Sequence, residues 1–340
     1  MLQIALAFIW SLLVALFAVP TIIRVAYSKK ILDIPNYRKV HEDLIPRLGG
    51  VAIFTGFMTA VTIFGQMGNG VQQLLAGTLV IFFVGVKDDI IDVSVFKKFF
   101  VQVLACGIIM FIADIRITSF QGVFNVDELS IGYSYAFTFL VVLCITNSVN
   151  LIDGLDGLAG SIVLIASIVF GVYFFPVLPA YTFVAFSLAG GVLGFLRYNM
   201  VGAKIFMGDT GSLVCGFILS VLAIQFIEYH VMPTAPSMAV AILFIPLFDT
   251  IRVFAIRIYN GNSPFSADRK HIHHNLLRRG MSHLRVVITL TLVNIMVVVI
   301  AVSLADFGDT FLLGVLAGLS LIFSIALELG IKKERIEIKV

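Results

Sequence analysis

From its N-terminus the chain alternates between long apolar runs and short polar connections. A spanning helix needs about 20 mostly apolar residues. Eleven stretches approach that length: 2–23, 48–66, 71–87, 97–113, 131–148, 158–175, 181–197, 211–229, 238–258, 285–305 and 310–330. Such runs suit helices and are too long for barrel strands. The pattern predicts an all-α integral membrane protein with about eleven transmembrane helices. Gly190, Gly191 and Gly194 punctuate the seventh run, and small residues let membrane helices approach closely. The first run lacks a basic leading segment and a small-residue cleavage site, so it reads as a retained helix rather than a signal peptide. With no soluble domain, low-complexity tract or internal repeat in view, residues 1–340 read as one polytopic membrane domain.

Composition agrees with this pattern and charge adds a direction to it. Of 340 residues, 60% are hydrophobic and 13% charged, against about 25% charged in soluble domains. Eleven crossings divide the connections into two sets. One holds 24–47, 88–96, 149–157, 198–210, 259–284 and the tail from Ile331. Counting segment ends with the loops they border, every one of the 23 Lys and Arg residues except Arg116 belongs to that set. Basic residues mark cytoplasmic loops, which places this set inside, the N-terminus outside and the C-terminus in the cytoplasm. The longest outer loop, 114–130, alternates partially around Gln121-Gly122 and predicts a small hairpin. Cys106, Cys144 and Cys215 each fall inside an apolar run and read as core or lipid-facing residues, not as a metal site or disulfide framework.

The polar chemistry concentrates in the basic set of loops. Asn147-Ser-Val-Asn-Leu-Ile-Asp-Gly-Leu-Asp-Gly-Leu-Ala-Gly160 spaces Asn147, Asn150, Asp153 and Asp156 three residues apart between two membrane-grade runs. Asp88 and Asp89 are adjacent carboxylates at the end of the third run, where a cation or a positive side chain such as Lys87 must answer them. Asp209 stands among small residues in Gly208-Asp-Thr-Gly-Ser212, a pattern that suits close backbone approach to a ligand and also an ordinary helix start. Loop 259–284 carries His271, His273 and His274 with Arg269, Lys270, Arg278 and Arg279. So many cations disfavour a transition metal and favour a pyrophosphate, which accepts many donors. Loop 24–47 adds Arg38, Lys39, His41 and Arg47, which anionic lipid alone would also explain. Asp249 and Arg252, one turn apart in the ninth run, read as a neutralising intramembrane pair or as part of a site. Carboxylates suited to Mg²⁺ thus face basic loops suited to phosphates, and no Walker-type phosphate loop is present. The residues themselves point to a membrane enzyme of Mg²⁺-assisted phosphoryl chemistry.

Five motifs carry a resemblance: Arg38-Lys-Val-His…Pro-Arg-Leu-Gly-Gly50, Lys87-Asp-Asp89, Asn147-x-x-Asn-x-x-Asp-Gly-x-x-Gly157, Phe206-Met-Gly-Asp-Thr-Gly211 and Ala267-Asp-Arg-Lys-His-Ile-His-His274. In this order they resemble the polyprenyl-phosphate N-acetylhexosamine-1-phosphate transferases, the superfamily that includes the phospho-MurNAc-pentapeptide translocase. The resemblance implies transfer of a sugar-1-phosphate from a UDP-N-acetylhexosamine to undecaprenyl phosphate with release of UMP, at the bacterial inner membrane. It implies Mg²⁺ as cofactor, with Mn²⁺ as a substitute, and no nucleic-acid partner; a homodimer is compatible with it. Carried over residue by residue, Asp209 and Asn150 look like the metal ligands. Asp156 would contact the uracil, Phe206 would stack on it, and Arg269, His271, His273 and His274 would hold the pyrophosphate. By the same resemblance Lys39 and Asn147 would join these substrate-binding residues, and Asp88, Asp89 and Asp153 would be the catalytic carboxylates, the first two beside the incoming lipid phosphate. The His-Ile-His-His sequence and the eleventh span depart from the cell-wall translocase pattern and favour the N-acetylglucosamine branch.

Two routes stay open from the sequence. The lipid phosphate, already ionised at neutral pH, attacks directly with Asp88 as base or positioning group, or an aspartate attacks first in a covalent route. An ion-coupled transporter is the competing class, since intramembrane acids mark ion pathways. Here nearly all the acids lie at one face. A scaffold has no use for clustered interfacial carboxylates.

Overall fold

The computed structural model describes residues 1–32, 44–123, 126–200, 202–263 and 270–337, with side chains as far as residue 328. Each of the eleven apolar runs is helical. In chain order the helices are α1 (Leu2–Lys29), α2 (Gly49–Phe64), α3 (Val71–Ile90), α4 (Val95–Gly107, continued by a π-helical turn to Ile112), α5 (Ile131–Ile152), α6 (Leu158–Phe174), α7 (Pro179–Asn199), α8 (Gly208–Glu228), α9 (Ala235–Ile242), α10 (Phe244–Tyr259), α11 (Ile272–Arg278), α12 (His283–Ser303) and α13 (Asp309–Glu337). Among the described residues the β-structure of the outer loop is a single antiparallel bridge, Ser119 to Glu128. Seven helices are long and apolar enough to cross a membrane: α1, α4 with its π-turn, α5, α7, α8, α12 and α13. The protein is a multi-pass membrane protein.

Helix α8 is the centre of the molecule. Every residue from Thr210 to Ile227 is buried, as expected of a helix apolar on all sides. It packs mainly against α5, α3 and α2. The punctuating glycines of α7 serve the close approach expected of them. A side-chain carbon at Gly190 would lie 2.3 Å from the Phe8 carbonyl of α1, and one at Gly194 would lie 2.7 Å from that of Leu12.

The run 238–258, expected as one continuous span, is broken. Helices α9 and α10 meet at an angle of 81°. Pro246 has no N–H to give the carbonyl of Ile242 one turn earlier. Asn294 of α12, fully buried, repairs both broken ends: its amide nitrogen donates to Ile242 O (3.0 Å) and its oxygen accepts from Ile245 N (3.1 Å). The predicted outer hairpin is present in reduced form. Leu129 N pairs with Thr118 O (2.8 Å) and Phe120 N with Asp127 O (2.9 Å). Glu228, at the C-terminal end of α8, anchors it by accepting from the Thr118 N–H (2.7 Å) and hydroxyl (2.8 Å). The three cysteines are free thiols, as expected.

Candidate active site

The N-terminal end of α8 collects the acidic motifs. A helix start leaves backbone N–H groups unpaired and favours negative charge. Asp89, from the end of α3, fills that need: its Oδ1 accepts from Asp209 N (2.8 Å) and its Oδ2 from Thr210 N (3.0 Å) and the Thr210 hydroxyl. Gly208 makes this approach feasible. Its φ is +70°, and a side-chain carbon there would lie 2.6 Å from both Asp89 oxygens and 2.1 Å from the Arg47 carbonyl. Burial pushes the Asp89 carboxyl up to about 7, against the lowering effect of the Thr210 and Asp209 bonds.

Asp88 turns the other way. Its Oδ1 accepts from Val93 N (2.7 Å) and its Oδ2 pairs with Lys98 Nζ (2.7 Å). The same ammonium also bonds Asp209 Oδ2. Burial raises the Asp88 carboxyl, with the Lys98 and Val93 bonds opposing. Lys98 was missed by motif reading, although a lysine in the first turn of an apolar helix is itself a functional flag.

Asn150, at the end of α5, donates to the Ser212 hydroxyl (2.8 Å), which in turn donates to Gly208 O (2.9 Å). The two expected metal ligands, Asn150 and Asp209, are thus brought to one turn of α8. Asp153 follows as the C-cap of α5. Its carboxyl is raised well above the usual range by burial, then by the negative charges of Asp209, Asp89 and Asp156, with Arg47 opposing. These side chains share one electrostatic cluster. Asn147 is turned elsewhere: its amide donates to Gln102 Oε1 (2.9 Å) and Leu143 O (2.8 Å), joining α5 to α4.

Backbone pairing joins the loops. Gly49 N donates to Phe206 O and Gly50 N to Met207 O (2.9 Å each), and Phe206 N donates to Pro46 O (2.8 Å). The described end of the first motif, Pro46 to Gly50, is thereby laid along the fourth, with Phe206 half-buried. Asn199, buried, accepts from Gly157 N (2.7 Å) and donates to Ile205 O (2.9 Å), fixing the third motif to the fourth. Nothing in its sequence surroundings marks it.

The histidines arrive from α11. Asp249 of α10 accepts from Ile272 N (2.8 Å) and pairs with His271 Nδ1 (2.9 Å), both partners buried. Arg252 Nη1 donates to Lys270 O (3.1 Å). Asp249 and Arg252 together hold the start of α11, so of their two readings the structure adds a part in positioning the histidine loop. His273 rests on the third motif: a side-chain carbon at Gly154 would lie 2.5 Å from its Nε2. Its ring lies 4.3 Å from that of His274. Burial, followed by the His274 charge, pushes the His273 imidazole down to about 3. Lys39 and Arg269 lie outside the described residues.

Among the described residues no group of three His, Cys, Asp or Glu side chains is arranged to hold a metal by itself. That does not disfavour Mg²⁺, which keeps several waters and binds through one or two carboxylates plus substrate phosphates. The hard oxygens of Asp209 and Asn150 at one helix end fit that demand.

A membrane-embedded bundle with a carboxylate cluster at the end of its most buried helix, and with the His273 ring resting on the neighbouring Asn147–Gly157 motif, defines the class: a membrane enzyme. Residues 71–227 match the glycosyl transferase family 4 model. The chain is 33% identical over 320 residues to a probable undecaprenyl-phosphate N-acetylglucosaminyl 1-phosphate transferase of Bacillus subtilis (strain 168), covering 89% of this chain and 86% of that protein. It is 32% identical to the undecaprenyl-phosphate alpha-N-acetylglucosaminyl 1-phosphate transferase of Yersinia pestis, over 82% and 78% of the two chains. The protein of that same name from Escherichia coli (strain K12) is 30% identical, over 79% and 75%. The protein belongs to glycosyl transferase family 4, in the group of the undecaprenyl-phosphate N-acetylglucosaminyl 1-phosphate transferases.

Proposed function

We infer that this protein transfers N-acetylglucosamine-1-phosphate from UDP-N-acetylglucosamine to undecaprenyl phosphate, releasing UMP, at the cytoplasmic face of a bacterial inner membrane. The observation that carries this reading is the convergence of Asp88, Asp89, Asp153, Asp156, Asp209 and Asn150 on the start of α8 beside the His271–His274 loop, in a chain aligned over most of its length with proteins named for that transfer. The sidedness rests on the basic loops. It makes one domain of eleven crossings, counting the broken α9–α10 pair, the shorter α2 and α6, and α3 with its charged end.

In the transfer a lipid phosphate oxygen forms a bond to the sugar-linked phosphorus of the donor, and the bond from that phosphorus to the UMP oxygen breaks. Asp209 and Asn150 would hold Mg²⁺, which would supply charge neutralisation on the pyrophosphate and the departing UMP. Asp156 and Phe206 hold the uridine, and the histidine loop holds the pyrophosphate. Both oxygens of Asp89 are committed to the start of α8, which supports a holding role for it and argues against Asp89 as a covalent nucleophile.

Purified protein incubated with labelled UDP-N-acetylglucosamine, undecaprenyl phosphate and Mg²⁺ is expected to release UMP and to form a lipid-linked product. Release of UDP would make it an ordinary glycosyl transfer. Turnover of UDP-MurNAc-pentapeptide instead would move the protein to the peptidoglycan branch. Asp209→Asn is expected to lower transfer at least ~100-fold, the scale of a lost electrostatic contact to the reacting group. Near-normal activity of that variant would remove Asp209 from the metal site.

A further inference from the structure

The carboxylates at the start of α8 are answered by a cation of the chain itself. Lys98 Nζ is bonded to Asp88 Oδ2 (2.7 Å) and to Asp209 Oδ2, spanning two motifs that lie far apart in sequence. The Asp209 oxygen that Lys98 takes belongs to the residue assigned to the metal. An ammonium and a divalent cation against one carboxylate repel strongly at such distances in a half-buried site. One must leave when the other arrives.

The chemistry of the side chain makes departure easy. Lysine is a compact point charge on a flexible four-carbon stem, whereas arginine would fix a planar two-point bond. Lys98 is half-buried, with 24% of its side chain exposed, so its ammonium has room to withdraw. Asp88 gives it a place to stay, because that carboxylate is separately fixed by Val93 N (2.7 Å).

We propose that Lys98 is a tethered stand-in for the divalent cation, which clamps Asp209 to Asp88 before metal binds and yields Asp209 when it does. Lys98 is then a positioning residue. It keeps the metal ligand in place and weakens metal affinity until substrate phosphates add their own charge. This rests on the assignment of Asp209 to the metal made above.

The test uses the full-length protein in detergent, stripped of metal and titrated with Mn²⁺ alone, with free Mn²⁺ read by electron paramagnetic resonance. Removing the competing charge in Lys98→Met is expected to tighten Mn²⁺ binding about tenfold. The metal-free variant is expected to unfold at a lower temperature than the parent, with Mn²⁺ restoring more of the difference than it does in the parent. Lys98→Gln, which removes the charge and keeps a donor, repeats the measurement should the Met variant fail to fold. A salt bridge with only a structural role would lower the unfolding temperature and leave Mn²⁺ affinity unchanged; unchanged or weaker binding in either variant overturns the proposal. Asp209→Asn separates the two layers. If it binds Mn²⁺ as tightly as the parent does, the metal assignment itself fails and the inference falls with it.

Discussion

His273 is 2% exposed and neither of its ring nitrogens has a hydrogen-bond partner. It is held by packing, against Gly154 beneath it and with His271 and His274 beside it. Burial, then the His274 charge, lowers its imidazole from 6.5 to about 3, with Asp249 opposing and His271 adding to the shift. The sign follows from proton counting. The unfolded chain protonates His273 as pH falls through 6.5, while the folded chain does not until about 3, so between these values the unfolded state binds more protons. Stability from this group is complete above 6.5 and is lost as pH falls, by up to about 2 kcal/mol at pH 5. His273→Gln is expected to flatten the acid side of a melting-temperature profile recorded between about pH 7.5 and 5. Parallel profiles for variant and parent would mean that another group titrates. Residue types alone singled out this histidine, one of three in a loop rich in arginines. Its neutrality was not legible, since that depends on a glycine 119 positions earlier in the chain. Lys98 and Asn199 went unread for the same reason: their partners are supplied by the fold.

Helices were legible wherever an apolar run had polar ends, and all eleven runs are helical. What the runs did not reveal was the corner between α9 and α10. Pro246 sits among apolar neighbours, and its effect depends on whether the orphaned Ile242 carbonyl finds another donor. The donor is Asn294 on α12, a lone amide in an otherwise apolar run. Asn294→Leu leaves Ile242 O and Ile245 N unpaired in the interior, at about 1–3 kcal/mol for each buried group. Thermal unfolding in detergent is expected to show that loss. Pro246→Ala restores an N–H one turn from Ile242 O, so Asn294→Leu/Pro246→Ala is expected to lose less than the sum of the two single changes. Strict additivity would show that the amide does not serve the break. The same logic explains Asn147, read from spacing as a member of the site wall and found joining α5 to α4 through Gln102.

At the scale of the whole molecule, α8 is a ruler. Its 21 residues rise about 30 Å, the thickness of a bilayer core. Asp209 and the motif loops lie at one end, and Glu228 with the outer hairpin lies at the other. The broken pair α9–α10 has to be placed on this ruler. It follows the Glu228 end directly in sequence, yet Asp249 of α10 is bonded to His271, and His273 lies on Gly154 beside the Asp209 end. A re-entrant α9–α10 would return to the Glu228 end and could not make those contacts. On the proposed topology the bend is a bent crossing, and between residues 127 and 262 the chain would cross five times, through α5, α6, α7, α8 and the broken pair. An odd number puts the two positions on opposite sides. Single cysteines at exposed Asp127 and Asn262 test this, because the native thiols are buried or half-buried and give little background. In intact cells a membrane-impermeant maleimide is expected to label Asp127→Cys, and to label Asn262→Cys only after permeabilisation. The reverse pattern would invert the orientation drawn from the basic loops. Labelling of both in intact cells would make α9–α10 re-entrant and separate the histidine loop from the carboxylates.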